Sequence, residues 1–322
     1  MNPFCPPLLL RNRHLQTMWS RLKPRRHKAQ WLVQQIPAVD GELLTLQWLQ
    51  QPNQTHAGIV LLIHGLEGSA TSDYIVGMAD ALLGHGFAPV VMEFRGCGEA
   101  PNTTERAYHS GEISDLETVL KQLQQQYPAQ PIDAVGFSLG GNVLARYLGT
   151  HRQHSVINKA VIISAPLDLA ACANQMTHWT ARIYQRHLLQ SLIAKTIAKR
   201  HQVNWQSFAL PSDSELRKMN TFWQFDDRVT APLHGFKDAH DYYRQCSGKQ
   251  YLSDITQPTL IIHANDDPFM NRDVIPKLSE LPKNINYLLS QHGGHVGFIT
   301  GSWRRPVYWL EHTVPKWLKR AD

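Results

Sequence analysis

The run Gly136-Phe137-Ser138-Leu139-Gly140-Gly141 constrains this chain more than any other stretch, because it satisfies GxSxG where an apolar strand pattern gives way to a helical one. Ile132, Ala134, Val135 and Phe137 read as a short buried strand, and Val143, Leu144, Tyr147 and Leu148 recur at helical spacing just beyond it. A serine stands proud of a sheet at such a junction only if the turn is very tight and its backbone strained, and glycines two residues to either side remove the side chains that would collide. Ser138 is therefore the candidate nucleophile. The motif taken alone also fits an ordinary strand-loop-helix junction, so its context decides.

Three further features supply that context. Upstream, the apolar run Ala57 to Ile63 ends in His64-Gly65-Leu66-Glu67-Gly68-Ser69, a loop placed to furnish one oxyanion donor from the Leu66 N–H while the Leu139 N–H furnishes the other. His64 reads as a local hydrogen-bonding residue, since the base comes last in this chain order. Downstream, the strand run Thr259 to Ala264 delivers Asn265-Asp266-Asp267-Pro268. Asp267, just before the proline, is the candidate acid that orients the base, with Asp266 as the alternative; both could instead cap a helix beginning near Asn271. Finally Gln291-His292-Gly293-Gly294-His295 follows the strand Ile285 to Leu289, and His295, behind a glycine pair, is the candidate general base, with His292 its rival.

The remaining pattern is that of an α/β fold with a mostly parallel sheet. Eight strands are expected, at Trp31 to Ile36, Leu43 to Leu49, Ile59 to Ile63, Ala88 to Glu93, Ile132 to Phe137, Ala160 to Ser164, Thr259 to Ala264 and Ile285 to Leu289. Helices are expected near Ser72 to Leu83, Gly111 to Gln125, Leu139 to Leu148, Asn271 to Leu281 and Trp303 to Lys319. From Leu167 to Asp254 no buried strand pattern occurs, while Ile183, Leu188, Leu189, Leu192, Ile193 and Ile197 recur at helical spacing, so residues 167–254 read as a helical cap inserted into a single domain spanning 1–322. Met176, Trp179, Phe222, Trp223 and Phe225 would give that cap an apolar pocket wall or serve as its core. Arg95 reads as structural, pairing with a carboxylate, and Cys97 gives no reason to displace Ser138.

A chain of 322 residues with 43% hydrophobic content can bury a large core, and no apolar run reaches the length needed to span a bilayer. Leu8-Leu9-Leu10 is too short for a signal-peptide core, and Cys5, Cys97, Cys172 and Cys246 show no CxxC pairing, so a cytoplasmic location with reduced thiols is expected. The net charge of +6 gathers in Arg21-Leu22-Lys23-Pro24-Arg25-Arg26-His27-Lys28, in Lys195 to Arg200, and near Arg304-Arg305 and Lys319-Arg320. No nucleic-acid motif accompanies these residues; a basic face could instead make weak contact with an anionic membrane.

A long spaced pattern goes further: Asp226, Gly235-Phe236, Asp241-Tyr242-Tyr243, Ser247, Ile255, Pro258, Leu260, Ile262 and Asp266-Asp267-Pro268, together with Phe4, Pro7, Arg11, the opening His14-Leu15-Gln16-Thr17, the elbow and Gly293-Gly294-His295. In these residues, which span nearly the whole chain, the sequence resembles the α/β-hydrolase superfamily and, within it, the AB hydrolase 4 family of bacterial esterases, eukaryotic lipid hydrolases and yeast medium-chain acyl ester synthases. The resemblance implies an α/β-hydrolase fold and a serine hydrolase or acyltransferase acting on small-molecule acyl esters. Ser138, Asp267 and His295 would form the triad, Leu66 and Leu139 the oxyanion hole, and no metal or organic cofactor would be needed. An ester synthase using an alcohol acceptor and a non-catalytic binding protein on the same scaffold are the alternatives.

Overall fold

The computed structural model describes residues 4–25, 29–98, 102–205 and 208–320. Arg26, His27 and Lys28 of the first basic run lie outside them. Eight strands form one sheet: β1 (Leu32–Pro37), β2 (Leu43–Trp48), β3 (Ile59–Ile63), β4 (Ala88–Glu93), β5 (Ile132–Phe137), β6 (Ile157–Ile163), β7 (Thr259–Ala264) and β8 (Ile285–Ser290), in the order β1-β2-β4-β3-β5-β6-β7-β8. β1 and β2 are an antiparallel hairpin and β2 runs antiparallel to β4, whereas every pairing from β4 to β8 is parallel. The predominantly apolar strands β3, β4, β5 and β7 are buried along their whole length, as strands covered on both faces must be, while β2 alternates buried and less buried positions.

Two layers of helix cover the sheet. On one face α3 (Ser114–Gln126) and α4 (Leu139–His151) bring Leu116, Val119, Leu120, Val143, Leu144 and Leu148 into a core with Leu61, Val90 and Ala134. On the other, α2 (Asp73–Gly84) and α11 (Trp309–Leu318) pack Ile75, Met78, Leu82, Leu310 and Val314 against Val60, Val91 and Val135. A further helix, α1 (Arg13–Leu22), precedes the sheet; the Asn12 side chain caps it by accepting from the His14 and Leu15 N–H groups. Between β6 and β7 the chain is helical: α5 (Leu169–Met176), α6 (Arg182–Arg200), α7 (Asp213–Lys218), α8 (Phe222–Phe225), a π-helical turn (Asp226–Thr230), α9 (Ala231–Leu233) and α10 (Ala239–Cys246). Leu189, Ile193 and Ile197 of α6 join Trp205, Leu216, Phe225 and Val229 in a cluster of their own, while Ile183 on the same helix is exposed.

Two expected helices differ. From Asn271 to Leu281 there are only two 3-10 turns, Arg272–Val274 and Leu278–Glu280, because Pro276 lacks the N–H a helix would need and holds Ile275 extended. The last helix starts at Trp309 rather than Trp303, since β9 (Ile299–Gly301) and β10 (Pro306–Tyr308) form a small antiparallel ribbon before it.

The strand order turns back at β3, with β4 on one side and β5 on the other. In open parallel sheets the crevice at the carboxyl ends of such strands is where ligands bind. The loops after β3 and β5 carry Leu66 and Ser138.

Candidate active site

Ser138 follows β5 and stands at the N-cap position of α4 with φ 50° and ψ −120°, a positive-φ backbone that costs a non-glycine residue energy. Its N–H is tied to the Ile163 carbonyl at 2.8 Å. The flanking glycines are required by contact: a Cβ on Gly136 would stand 2.6 Å from the Gly140 carbonyl oxygen, and one on Gly140 would stand 2.4 Å from that of Ile63. Held this way, Ser138 Oγ lies 2.9 Å from His295 Nε2, and His295 Nδ1 lies 2.8 Å from Asp267 Oδ2. Asp267 is buried, its Oδ1 accepts the Phe269 N–H at 2.8 Å, and the Phe269 ring stacks on the imidazole with centroids 4.1 Å apart. Three side chains from the loops after β5, β7 and β8 thus meet in one hydrogen-bonded line.

The loop around His295 is held through its backbone. Three successive N–H groups, of Gly294, His295 and Val296, are taken by Asp266 Oδ1 at 2.9 Å, Thr17 Oγ1 at 2.9 Å and Ser164 Oγ at 3.2 Å. The two acids therefore divide the work: Asp267 faces the imidazole of His295, while Asp266 holds the glycine before it and faces His292 Nδ1 at 3.4 Å. Burial pushes the Asp266 carboxyl above its usual range, against the pull of the Gly294 N–H. Nothing in the sequence marks Thr17 or Ser164 for this role, although Thr17 closes the His14-Leu15-Gln16-Thr17 run.

On the opposite side of Ser138, His64 is fully buried. The Phe94 N–H donates to its Nε2 at 3.1 Å, so Nδ1 carries the proton and donates to the Gly65 carbonyl at 2.7 Å. Burial, partly offset by that carbonyl, lowers its pKa to about 4, and the neutral ring serves to pin the loop. The Gly65 N–H donates to the Tyr74 hydroxyl and the Glu67 N–H to the Tyr108 hydroxyl, flanking Leu66. Glu67, with φ 56°, in turn accepts from Tyr108, from Ser191 and from Lys195, which ties this loop to α6. Cys97 is not poised as a nucleophile, because burial pushes its thiol up to about 12. Arg95 is buried between Asp115 and Asp40, with N–O distances of 2.6 Å to each.

Two chambers open on Ser138 and His295. The inner one, about 140 Å³, is walled by residues of the helices that follow β6, Leu169, Met176, Leu192, Phe222 and Phe225, together with Leu66 and Leu139. The outer one, about 290 Å³, runs past Thr17, Tyr74, Tyr184, His187 and Arg25. Trp179 is 84% exposed and belongs to neither wall, and Trp223 donates to Asn174 Oδ1 beside Tyr243. Among the described residues no cluster of three His, Cys, Asp or Glu side chains could hold a metal, and no helix is long and apolar enough to cross a membrane.

Residues 58–302 match the family model described as alpha/beta hydrolase fold. The chain belongs to the α/β-hydrolase family. As such it is a hydrolase. It is 43% identical over 316 residues to "Putative esterase YheT" of Escherichia coli, covering 98% of this chain and 92% of that protein. It is 25% identical to mouse "Phospholipase ABHD3", covering 88% of this chain and 70% of that one, and 27% identical to the yeast "Medium-chain fatty acid ethyl ester synthase/esterase 2", covering 87% and 63%. Among solved structures, an esterase of Pyrococcus furiosus superposes with a TM-score of 0.59 over 99% of this chain and 97% of its own, at 17% identity, a likeness of fold.

Proposed function

We propose that this hydrolase is a serine esterase in which Ser138 is the nucleophile, His295 the general base and Asp267 the acid that orients it. The observation that carries the reading is the continuous line from Ser138 Oγ through both imidazole nitrogens to Asp267 Oδ2, with each link under 3 Å. As Oγ attacks an ester carbonyl, its proton passes to His295 Nε2, and Asp267 stabilises the imidazolium. The oxyanion is assigned to the Leu66 and Leu139 N–H groups. Leu139 is the first residue of α4, where an N–H has no intrahelical acceptor and lies at the positive end of the helix dipole. His295 then returns the proton to the departing alkoxide, leaving an ester on Ser138. A second attack, by water deprotonated at the same imidazole, frees the acid and restores the serine.

The apolar lining of the inner chamber suits the acyl chain, and the outer chamber, with its histidine and arginine, suits the alcohol side. In this reading residues 167–254 act as a cap over Ser138. The name of the yeast relative supports a second use of the same acyl-enzyme, with an alcohol replacing water in the last step; product analysis with ethanol present separates the two. Exposed Leu22 and Trp303, the latter packed on Trp19 and bonded to Lys23, support contact with an anionic lipid surface, which vesicle sedimentation tests.

Labelling with a fluorophosphonate decides the central assignment. One equivalent should bind the wild type and none Ser138→Ala, and hydrolysis of p-nitrophenyl acyl esters should fall by several orders of magnitude in that variant. Substantial turnover in folded Ser138→Ala would transfer the chemistry elsewhere.

A further inference from the structure

The loop that presents His295 is a poor guide for a base. Gly293, Gly294, Val296 and Phe298 all have positive φ, and Val296 is β-branched, the residue type least suited to that region. Such backbone persists only where its surroundings over-determine it. Much of that surrounding comes from α1, which lies more than 270 residues earlier in the chain. The Thr17 hydroxyl spends its one proton on the Arg13 carbonyl at 2.8 Å, so towards the His295 N–H its oxygen can only accept. Gln16 is buried, its amide nitrogen donating to the Leu10 and Ile299 carbonyls at 2.6 and 2.8 Å and its oxygen accepting the Ile299 N–H at 2.7 Å. The helix also lies directly on the loop: a Cβ on Gly294 would come within 2.6 Å of the Arg13 carbonyl oxygen. From the same helix His14 Nδ1 meets the Tyr184 hydroxyl at 3.0 Å, and Tyr184 packs on Phe269, the ring stacked on His295.

We propose that Thr17, backed by Gln16, is a positioning residue that sets the His295 imidazole in line between Ser138 and Asp267. The proposal rests on the assignment of His295 as the base. The backbone N–H of His295 is one bond from its Cα, so an acceptor there fixes the point from which the imidazole swings. Without it the strained loop relaxes and Nε2 moves off Ser138 Oγ. A small misplacement of this kind costs up to about a hundredfold in rate.

The test compares Thr17→Val, Thr17→Ala and Thr17→Ser with wild type, Ser138→Ala and His295→Ala, in p-nitrophenyl ester kinetics, fluorophosphonate inactivation rate and thermal unfolding. Thr17→Val keeps the shape and loses the acceptor, and Thr17→Ala, which is smaller, loses the acceptor without placing a methyl where the hydroxyl stood, in case the valine variant folds poorly. In both, kcat and the inactivation rate should fall by about ten- to a hundredfold with KM little changed, and Thr17→Ser should recover most of the loss. Unchanged kcat and inactivation rate in folded Thr17→Val or Thr17→Ala would overturn the proposal, as would a Thr17→Ser variant as slow as Thr17→Val. A kcat loss that merely tracks the fraction unfolded would also overturn it. Full activity in Ser138→Ala or His295→Ala would instead overturn the esterase assignment on which it rests.

Discussion

Replacing Asp267 by asparagine should cost far more activity than the same change at Asp266, and the structure dictates why. Asp267 offers one oxygen to the Phe269 N–H and the other to His295 Nδ1. Because the Phe269 N–H is a fixed donor, an asparagine at 267 places its carbonyl oxygen there and turns its NH2 towards the imidazole. Nδ1 must then accept, and the ring proton moves to Nε2, where it faces Ser138 as a donor and cannot take the serine proton. The opposite amide orientation sets two donors against each other in a buried site, a loss of about 1–3 kcal/mol. A wrong tautomer costs a serine-histidine-aspartate site about 10⁴ in kcat, or roughly 5 kcal/mol of transition-state stabilisation. At position 266 the asparagine oxygen can still accept the Gly294 N–H, so Asp266→Asn should stay within about tenfold of wild type by the same arithmetic. Steady-state hydrolysis of a p-nitrophenyl ester, with thermal unfolding to verify the fold, measures both. An Asp267→Asn enzyme within tenfold of wild type, or a greater loss at Asp266, would refute the tautomer argument.

Other consequences are as direct. The inner chamber of about 140 Å³ matches a cavity that holds a benzene-sized body, about six carbons, so kcat/KM should climb by up to roughly 0.8 kcal/mol per methylene from acetyl to about hexanoyl or octanoyl esters and fall for palmitoyl; a maximum at acetate in a C2 to C16 series would remove the chamber from acyl binding. Asp226, enclosed by Thr230 and Tyr243, has its carboxyl raised by burial to about 6, so the folded state holds a proton that the unfolded chain has lost, and stability declines as pH rises from about 4 through 6. Asp226→Asn should therefore raise the thermal midpoint at pH 7, by up to roughly 3 kcal/mol in stability, and gain little at pH 4; equal shifts at both pH values would contradict the cause. Glu67→Ala keeps the backbone N–H bond to Tyr108 but removes the side-chain bonds that tie the Leu66 loop to Ser191 and Lys195 of α6, and kcat for ester hydrolysis should drop by about tenfold, whereas an unchanged kcat would show that the α6 tether does not support the loop.

The sheet was legible because its central parallel strands are short, predominantly apolar runs bounded by turn residues, and a parallel strand buried on both faces needs little more to declare itself. The elbow was legible for a steric reason, since Gly136 and Gly140 answer contacts inside one turn. Asn271 to Leu281 misled because its apolar spacing is helical while Pro276, six residues in, forbids the ladder. The ribbon of β9 and β10 was missed because three-residue strands leave no period to read. α1 was harder still. Its buried positions include Gln16, a polar side chain whose every hydrogen bond runs to Leu10 and Ile299, so no hydrophobic pattern marks what it packs against.

That difficulty has one physical origin. Among the described residues seven non-glycines have positive φ, and five of them, Glu67, Ser138, Ser164, Val296 and Phe298, line or support the site. Each such residue costs on the order of 1–3 kcal/mol and needs partners that hold it. For four of the five those partners are remote in sequence: Ile163 for the Ser138 N–H, Ile262 for that of Ser164, Ser164 itself for Val296, Tyr108 for Glu67, whereas the Phe298 N–H turns back to Gly293. A loop so held can keep a serine and a histidine 2.9 Å apart before any substrate arrives, with little reorganisation left for the reaction itself. The residues that do the holding carry no chemical motif. A serine at the end of β6 and a threonine on α1 look like any others until the fold brings them to the backbone of Val296 and His295, which is why the candidate site residues stand out in local runs of sequence and the residues that hold them do not.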